Sequence, residues 1–139
     1  MAIEEALEIA KKGEELGCRE ALITLGDKPE LRYKAARDSL NALGFESTLD
    51  YVKNVSQEIL NTTSLIPHLN PGTMDINEIE KLKNYSGSMG MMLESHSARL
   101  CQKGMPHYGS PDKDPNFRIQ TLICACLLYT SPSPRDGDE

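Results

Sequence analysis

Three short apolar runs constrain this chain more than anything else in it: Ala21-Leu22-Ile23-Thr24-Leu25, Leu65-Ile66-Pro67-His68-Leu69 and Gly87-Ser88-Met89-Gly90-Met91-Met92-Leu93. They stop at Gly26-Asp27-Lys28-Pro29, at Asn70-Pro71-Gly72 and at Glu94. None alternates strictly between apolar and polar residues, and near-continuous runs of this length are the habit of strands in parallel sheets. Between them lie segments of helical period. Ile3 to Leu16 carries Ile3, Ala6, Leu7, Ile9, Ala10 and Leu16 largely on one face and stops at Gly17. Leu31 to Leu43 ends at Gly44, and Thr48 to Leu60 follows a Ser47/Thr48 cap. Asp75 to Leu82 and Ser97 to Lys103 predict short helices, Met105 to Pro115 a polar loop, and Asn116 to about Leu122 a last helix. Strands separated by helices predict an α/β fold with a parallel sheet covered on one or both faces and right-handed crossovers. Pro67 restricts its run to a strand edge or end, or to a local irregularity. Gly87 and Gly90 predict close backbone approach at the third run.

Composition narrows the class. The 139 residues suit one domain, 39% of them are hydrophobic, and no stretch reaches the roughly 20 apolar residues of a membrane span. Fifteen Lys and Arg against 21 Asp and Glu, with no basic run, argue against phosphate-driven nucleic-acid binding. The acidic start lacks the pattern of an export signal, so a cytoplasmic protein is the expectation. Cys18, Cys101, Cys124 and Cys126 are too few and too irregular for a disulfide framework. Cys124-Ala-Cys126 also lacks the two-residue spacer of zinc and redox motifs, so reduced, non-ligating thiols are expected.

In parallel α/β sheets ligands gather at the carboxyl ends of the strands. Here those ends are Gly26-Asp27, His68-Leu69-Asn70 and Glu94-Ser95-His96, which predicts a polar rim. Helix capping and turn formation are the bland use of the same residues. His68, His96 and His107 show no metal-ligand spacing, and Met89, Met91 and Met92 read as core. The tail, residues 123–139, reads as foreign to the fold, with no continuation of the preceding helix and a Ser-Pro-Ser-Pro end. The stretch from Cys126 to Asp136 resembles a translated sequencing-adapter read-through.

The loops taken together carry a resemblance. Thr24-Leu25-Gly26-Asp27-Lys28-Pro29-Glu30, Ser47-Thr48-Leu49-Asp50-Tyr51, Pro67-His68-Leu69-Asn70-Pro71-Gly72, Ser88-Met89-Gly90-Met91-Met92-Leu93-Glu94 and His107-Tyr108-Gly109-Ser110-Pro111-Asp112-Lys113-Asp114-Pro115 follow one another along the chain. In this order and spacing the chain, over about residues 3–122, resembles the 7,8-didemethyl-8-hydroxy-5-deazariboflavin synthases. These are radical S-adenosylmethionine (SAM) enzymes of deazaflavin coenzyme biosynthesis. The resemblance is to the ring-closing component rather than to the one that joins tyrosine to the aminouracil.

The resemblance implies a partial radical SAM (β/α) barrel over residues 1–122, roughly strands two to four with their helices. It implies SAM and a [4Fe-4S] cluster as cofactors, a tyrosine-derived small-molecule substrate, and the tyrosine-joining subunit or fused domain as partner. By the same resemblance Gly26 and Asp27 would meet the SAM amino group, and Glu94 with Ser88 the ribose. His68, Asn70, Tyr108, Ser110, Asp112 and Lys113 would face substrate. The family's Cys-x3-Cys-x2-Cys cluster loop has no counterpart in the sequence, and an inactive internal fragment is therefore expected. Two competing expectations are another radical SAM enzyme of the same branch (the tyrosine-joining partner or a menaquinone-pathway relative) and a cluster-less α/β binding module.

Overall fold

A computed structural model describes residues 1–129. Helix α1, Ile3–Glu15, leads into strand β1, Glu20–Thr24. A 3-10 turn at Pro29–Leu31 precedes α2, Lys34–Ala42, so the single helix expected over Leu31 to Leu43 is interrupted near Arg32 and Tyr33. Helix α3, Thr48–Thr62, opens at Ser47, whose hydroxyl accepts the Asp50 amide, and leads to β2, Ile66–Asn70. Helix α4, Ile76–Leu82, begins with a reciprocal capping box between Asp75 and Glu78.

The third run is mostly not a strand. Strand β3 is Ser88–Met89 alone, and the chain from Gly90 to Ser97 is irregular. Its carbonyl at Met92 accepts from Arg118 instead of from a ladder. Close approach at the glycines holds: a Cβ on Gly87 would lie 2.3 Å from Ile66 Cγ2, and one on Gly90 2.8 Å from His68 Nε2. The helix expected over Ser97 to Lys103 shrinks to a 3-10 turn, Ala98–Cys101, and a second such turn, Pro111–Lys113, lies in the polar loop.

Helix α5 runs Pro115–Tyr129 and does not stop near Leu122. Its continuation has a physical reason: Cys124 is 8% exposed within the main core, and Ala125 and Leu128 pack against that core. Residues 123–129 of the expected tail are thus helical, and its remainder lies outside the described residues.

The sheet has the order β1-β2-β3, all parallel, with Leu22 opposite His68 and His68 opposite Ser88. Pro67 sits inside the central strand without breaking it. The Ile66 amide donates to the Arg19 carbonyl and the Leu25 amide to the Asn70 carbonyl, so the even positions of β2 bond to β1 and Pro67 faces β3. Strand β3 starts only at Ser88, and Pro67 needs nothing beyond its carbonyl, which accepts the Gly87 amide at 3.0 Å.

One face of the sheet is covered. Ile23, Leu25, Leu69 and Met89 join Leu49, Val52, Met74, Ile79 and Leu82 from the connecting segments and helices. Ala21 and Ile23 also meet a second cluster of α1 and α3 residues, among them Ala10, Val55 and Ile59. The other face bears Leu22 and Ile66, 67% and 50% exposed, with His68 and Ser88 between the strand ends. Among the described residues no helix is long and apolar enough to cross a membrane.

Candidate functional site

The open face and the C-terminal rim of the sheet bring several of the expected site residues into contact. In register across β2 and β3, His68 Nδ1 and Ser88 Oγ share a hydrogen bond of 2.7 Å. The other ring nitrogen lies over Gly90, where any side chain would collide with it. A half-buried imidazole is thereby held by one polar partner and one backbone surface. Asn70, half-buried at the end of β2, uses its carbonyl to accept the Leu25 amide.

Asp27 spends one oxygen on structure. Its Oδ2 accepts both the amide and the hydroxyl of Thr73, each at 2.7 Å, and ties the end of β1 to the loop after β2. Gly72 makes this possible: it has φ +89°, and a Cβ there would lie 2.6 Å from the Asp27 carboxyl carbon. Gly26 beside it is exposed.

Glu94 has φ +66°, uncommon for a residue with a side chain. Its Oε1 accepts from Lys113 Nζ at 2.6 Å. That hydrogen bond, then the charge of the same lysine and of Arg118, hold the Glu94 carboxyl below its ordinary range. A SAM-contact candidate and a substrate-contact candidate therefore form one ion pair. The 105–115 loop is held through this pair and through a second contact. The Arg32 guanidinium donates to the Gly109 carbonyl at 3.0 Å and lies 3.7 Å from Asp112 Oδ1. Tyr108 projects from this loop 59% exposed, and Ser110 accepts the Lys113 amide with its carbonyl. The structure thus groups His68 with Ser88, Glu94 with Lys113, and Asp112 with Arg32. Asn70 and Tyr108 stand apart from these three pairs.

Three residues that sequence reasoning missed hold this arrangement. Arg118, 6% exposed on α5, donates to the carbonyls of Met92 and of Asp112, 2.7 Å for the latter. It fixes the segments that carry Glu94 and Lys113. Glu30, 8% exposed, accepts the Thr48 amide at 3.0 Å and the Thr48 hydroxyl at 2.5 Å, anchoring the start of α3 behind β1. Thr121 lies 3.0 Å from both the amide and the carbonyl of Met74, locking α5 to the loop after β2. Apart from the bond between Arg118 and Asp112, these partnerships span eighteen or more residues, so no local motif announces them.

Behind the rim a cleft of about 250 Å³ is lined by Lys28, Lys53 and Lys81 against Glu30, Asp50 and Glu78, and the signs cancel. No group of three His, Cys, Asp or Glu able to hold a metal occurs among the described residues. Cys18 and Cys126 are exposed, Cys101 half-buried and Cys124 buried in the core. These thiols do not fit a three-thiolate cluster site.

Parallel strands joined through helices packed on one face, with a polar rim at the carboxyl ends, define an α/β protein of the β/α-repeat class. Known proteins narrow that class. The chain is 51% identical over 129 residues, 92% of its length, to a protein named FO synthase from Mycobacterium tuberculosis. A protein of the same name from Streptomyces coelicolor is 53% identical over 123 residues. The 7,8-didemethyl-8-hydroxy-5-deazariboflavin synthase of Methanopyrus kandleri is 40% identical over 119 residues. The chain spans about 15% of the length of the M. tuberculosis protein, 14% of the S. coelicolor protein and 36% of the M. kandleri protein. No family model and no solved structure matches it. The chain is homologous to one segment of the FO synthases.

Proposed function

We propose that this segment belongs to the ring-closing component of FO synthesis. That component is a radical SAM lyase which cyclises 5-amino-5-(4-hydroxybenzyl)-6-(D-ribitylimino)-5,6-dihydrouracil with loss of ammonia. The observation that carries the reading is the 51% identity over 92% of the chain to FO synthase, supported by the 40% identity to the M. kandleri enzyme. On this reading the sheet is part of a (β/α) barrel and its open face looks into the barrel, where His68, Ser88 and Asn70 meet the ligands.

SAM offers an ammonium group and ribose hydroxyls, and the chain has groups that suit them. Asp27 Oδ1 and Glu94 Oε2 lie outside the bonds that fix their partner oxygens, and Gly26 beside Asp27 is exposed. When bound, SAM supplies the hydrogen-abstracting radical of this enzyme class. The protein's own residues orient and shield: His68 and Ser88 as a paired donor and acceptor, and Tyr108, Ser110, Asp112 and Lys113 on a loop able to meet ribityl and uracil oxygens. Among the described residues no set of thiolates fits the cluster. The 139-residue chain alone is inactive on this reading, and the tyrosine-joining subunit or fused domain supplies its substrate.

The test is a chimera in which this segment replaces the matching one in a full-length FO synthase, assayed for deazaflavin formation from the tyrosine adduct. Retained activity that falls at least about ten-fold with His68→Ala or Glu94→Gln is expected. A folded chimera that cleaves SAM but makes no deazaflavin would overturn the reading.

A further inference from the structure

The backbone at Glu94 is strained. The Ser95 amide donates to the Leu93 carbonyl at 2.7 Å, which closes a three-residue turn on Glu94, and Glu94 itself has φ +66°. A γ-turn of positive φ is rare, because a side chain crowds a backbone region that glycine enters freely. Strain of this kind persists only where the surroundings hold it, and here it aims a carboxylate.

The other half of the ion pair is fixed as firmly. Lys113 ends the 3-10 turn Pro111–Lys113, its amide donates to the Ser110 carbonyl at 3.0 Å, and its carbonyl accepts from Cys101 Sγ at 3.8 Å. The buried Arg118 grips the carbonyls of Met92 and Asp112, close before Glu94 and Lys113 in the chain. Ion pairs near the surface ordinarily contribute little, since two long side chains must give up their freedom to meet. Here one guanidinium clamps both backbones, and the 2.6 Å contact between Lys113 Nζ and Glu94 Oε1 joins side chains that are already placed.

That contact occupies one carboxylate oxygen. The Glu94 side chain is 38% exposed, and its Oε2 makes no hydrogen bond among the described residues. An ionised carboxylate accepts from a neutral hydroxyl more strongly than a neutral acceptor does. Although Lys113 shares a loop with Tyr108, Ser110 and Asp112, its ammonium is directed to Glu94.

We propose that Lys113 is a positioning residue for SAM, holding the Glu94 carboxylate in the orientation in which its second oxygen accepts from the ribose hydroxyls. The proposal rests on the reading of Glu94 as a ribose contact and deepens it.

The test measures SAM affinity by equilibrium dialysis in the unreduced full-length FO synthase chimera carrying this segment, where SAM binds without being cleaved. Lys113→Met is expected to weaken SAM binding about ten-fold, while Lys113→Arg, which restores a cation, stays within about two-fold of the parent. A SAM analogue lacking both ribose hydroxyls binds the parent and Lys113→Met equally, an equality that general loosening of the loop would not produce. In a Glu94→Gln background, Lys113→Met brings no further loss. Unchanged or tighter SAM binding in Lys113→Met overturns the proposal, as does an equal loss of affinity for the analogue. The two possible failures are distinguishable. If Glu94→Gln itself leaves SAM affinity unchanged, the reading of Glu94 falls and the proposal with it; if Glu94→Gln weakens SAM binding and Lys113→Met does not, the proposal alone falls.

Discussion

The two faces of the sheet are built from alternate residues of the same strands, and both contain aliphatic side chains. Leu69 on one face is fully buried, while Leu22 and Ile66 on the other are 67% and 50% exposed. The difference teaches that apolar character decides that a strand forms but not which side is covered. Helix placement decides that: residues of α3, α4 and α5 cluster with Leu69 and Met89 on the covered side. On the open side the polar groups His68 and Ser88 pair with each other rather than with a covering layer.

The comparison breaks most directly by truncation. Ile79→Ala, under the covered face, is expected to cost about 2–5 kcal/mol in urea unfolding, whereas Leu22→Ala stays within about 0.5 kcal/mol. Equal costs would mean that the open face is covered in solution. Arg118→Met leaves the Met92 and Asp112 carbonyls without their donor and is expected to cost about 1–3 kcal/mol. Its second consequence, loosening of Glu94 and Lys113, is read as increased exchange broadening of their NMR signals. Glu30→Ala strips the amide and hydroxyl of Thr48 of their acceptor, for about 1–2 kcal/mol in the same unfolding assay.

The smallest effect concerns Glu94, whose carboxyl titrates below its ordinary 4.5 because of Lys113. A depressed carboxylate contributes stability that is present above its unfolded value and is lost as pH falls through the folded one. The link therefore persists at neutral pH and disappears only in acid, below 4.5. Carboxyl NMR titration of Lys113→Met should show Glu94 moving back up, and no movement would dissociate the pair.

Much of the first eighty-odd residues was legible because the signals there are local. Helical period places α1, α3 and α4, and Ser47 and Asp75 mark two starts by the hydrogen bonds they then make. The third apolar run misled because Met91, Met92 and Leu93 look like strand, yet they have no further ladder beside them and Arg118 takes the Met92 carbonyl. The end of α5 misled for the opposite reason. A composition that looked foreign still offers Cys124 and Leu128 to the core, and a helix continues wherever its apolar face is paid in burial. Of the site, the residue types at the strand ends were readable, but their pairings were not. Asp27 with Thr73, Glu94 with Lys113 and Asp112 with Arg32 join positions far apart in the chain.

The sequence by itself determined the order of helices and strands, their parallel α/β character, the polar strand ends and the kinship with FO synthase, because periodicity, turn residues and long motifs are properties of neighbours along the chain. Only the tertiary structure decided which sheet face stays open, where β3 ends and which carboxylates are held by which cations. Those outcomes depend on distances between segments, and a buried arginine such as Arg118 acts on carbonyls that the linear order keeps apart.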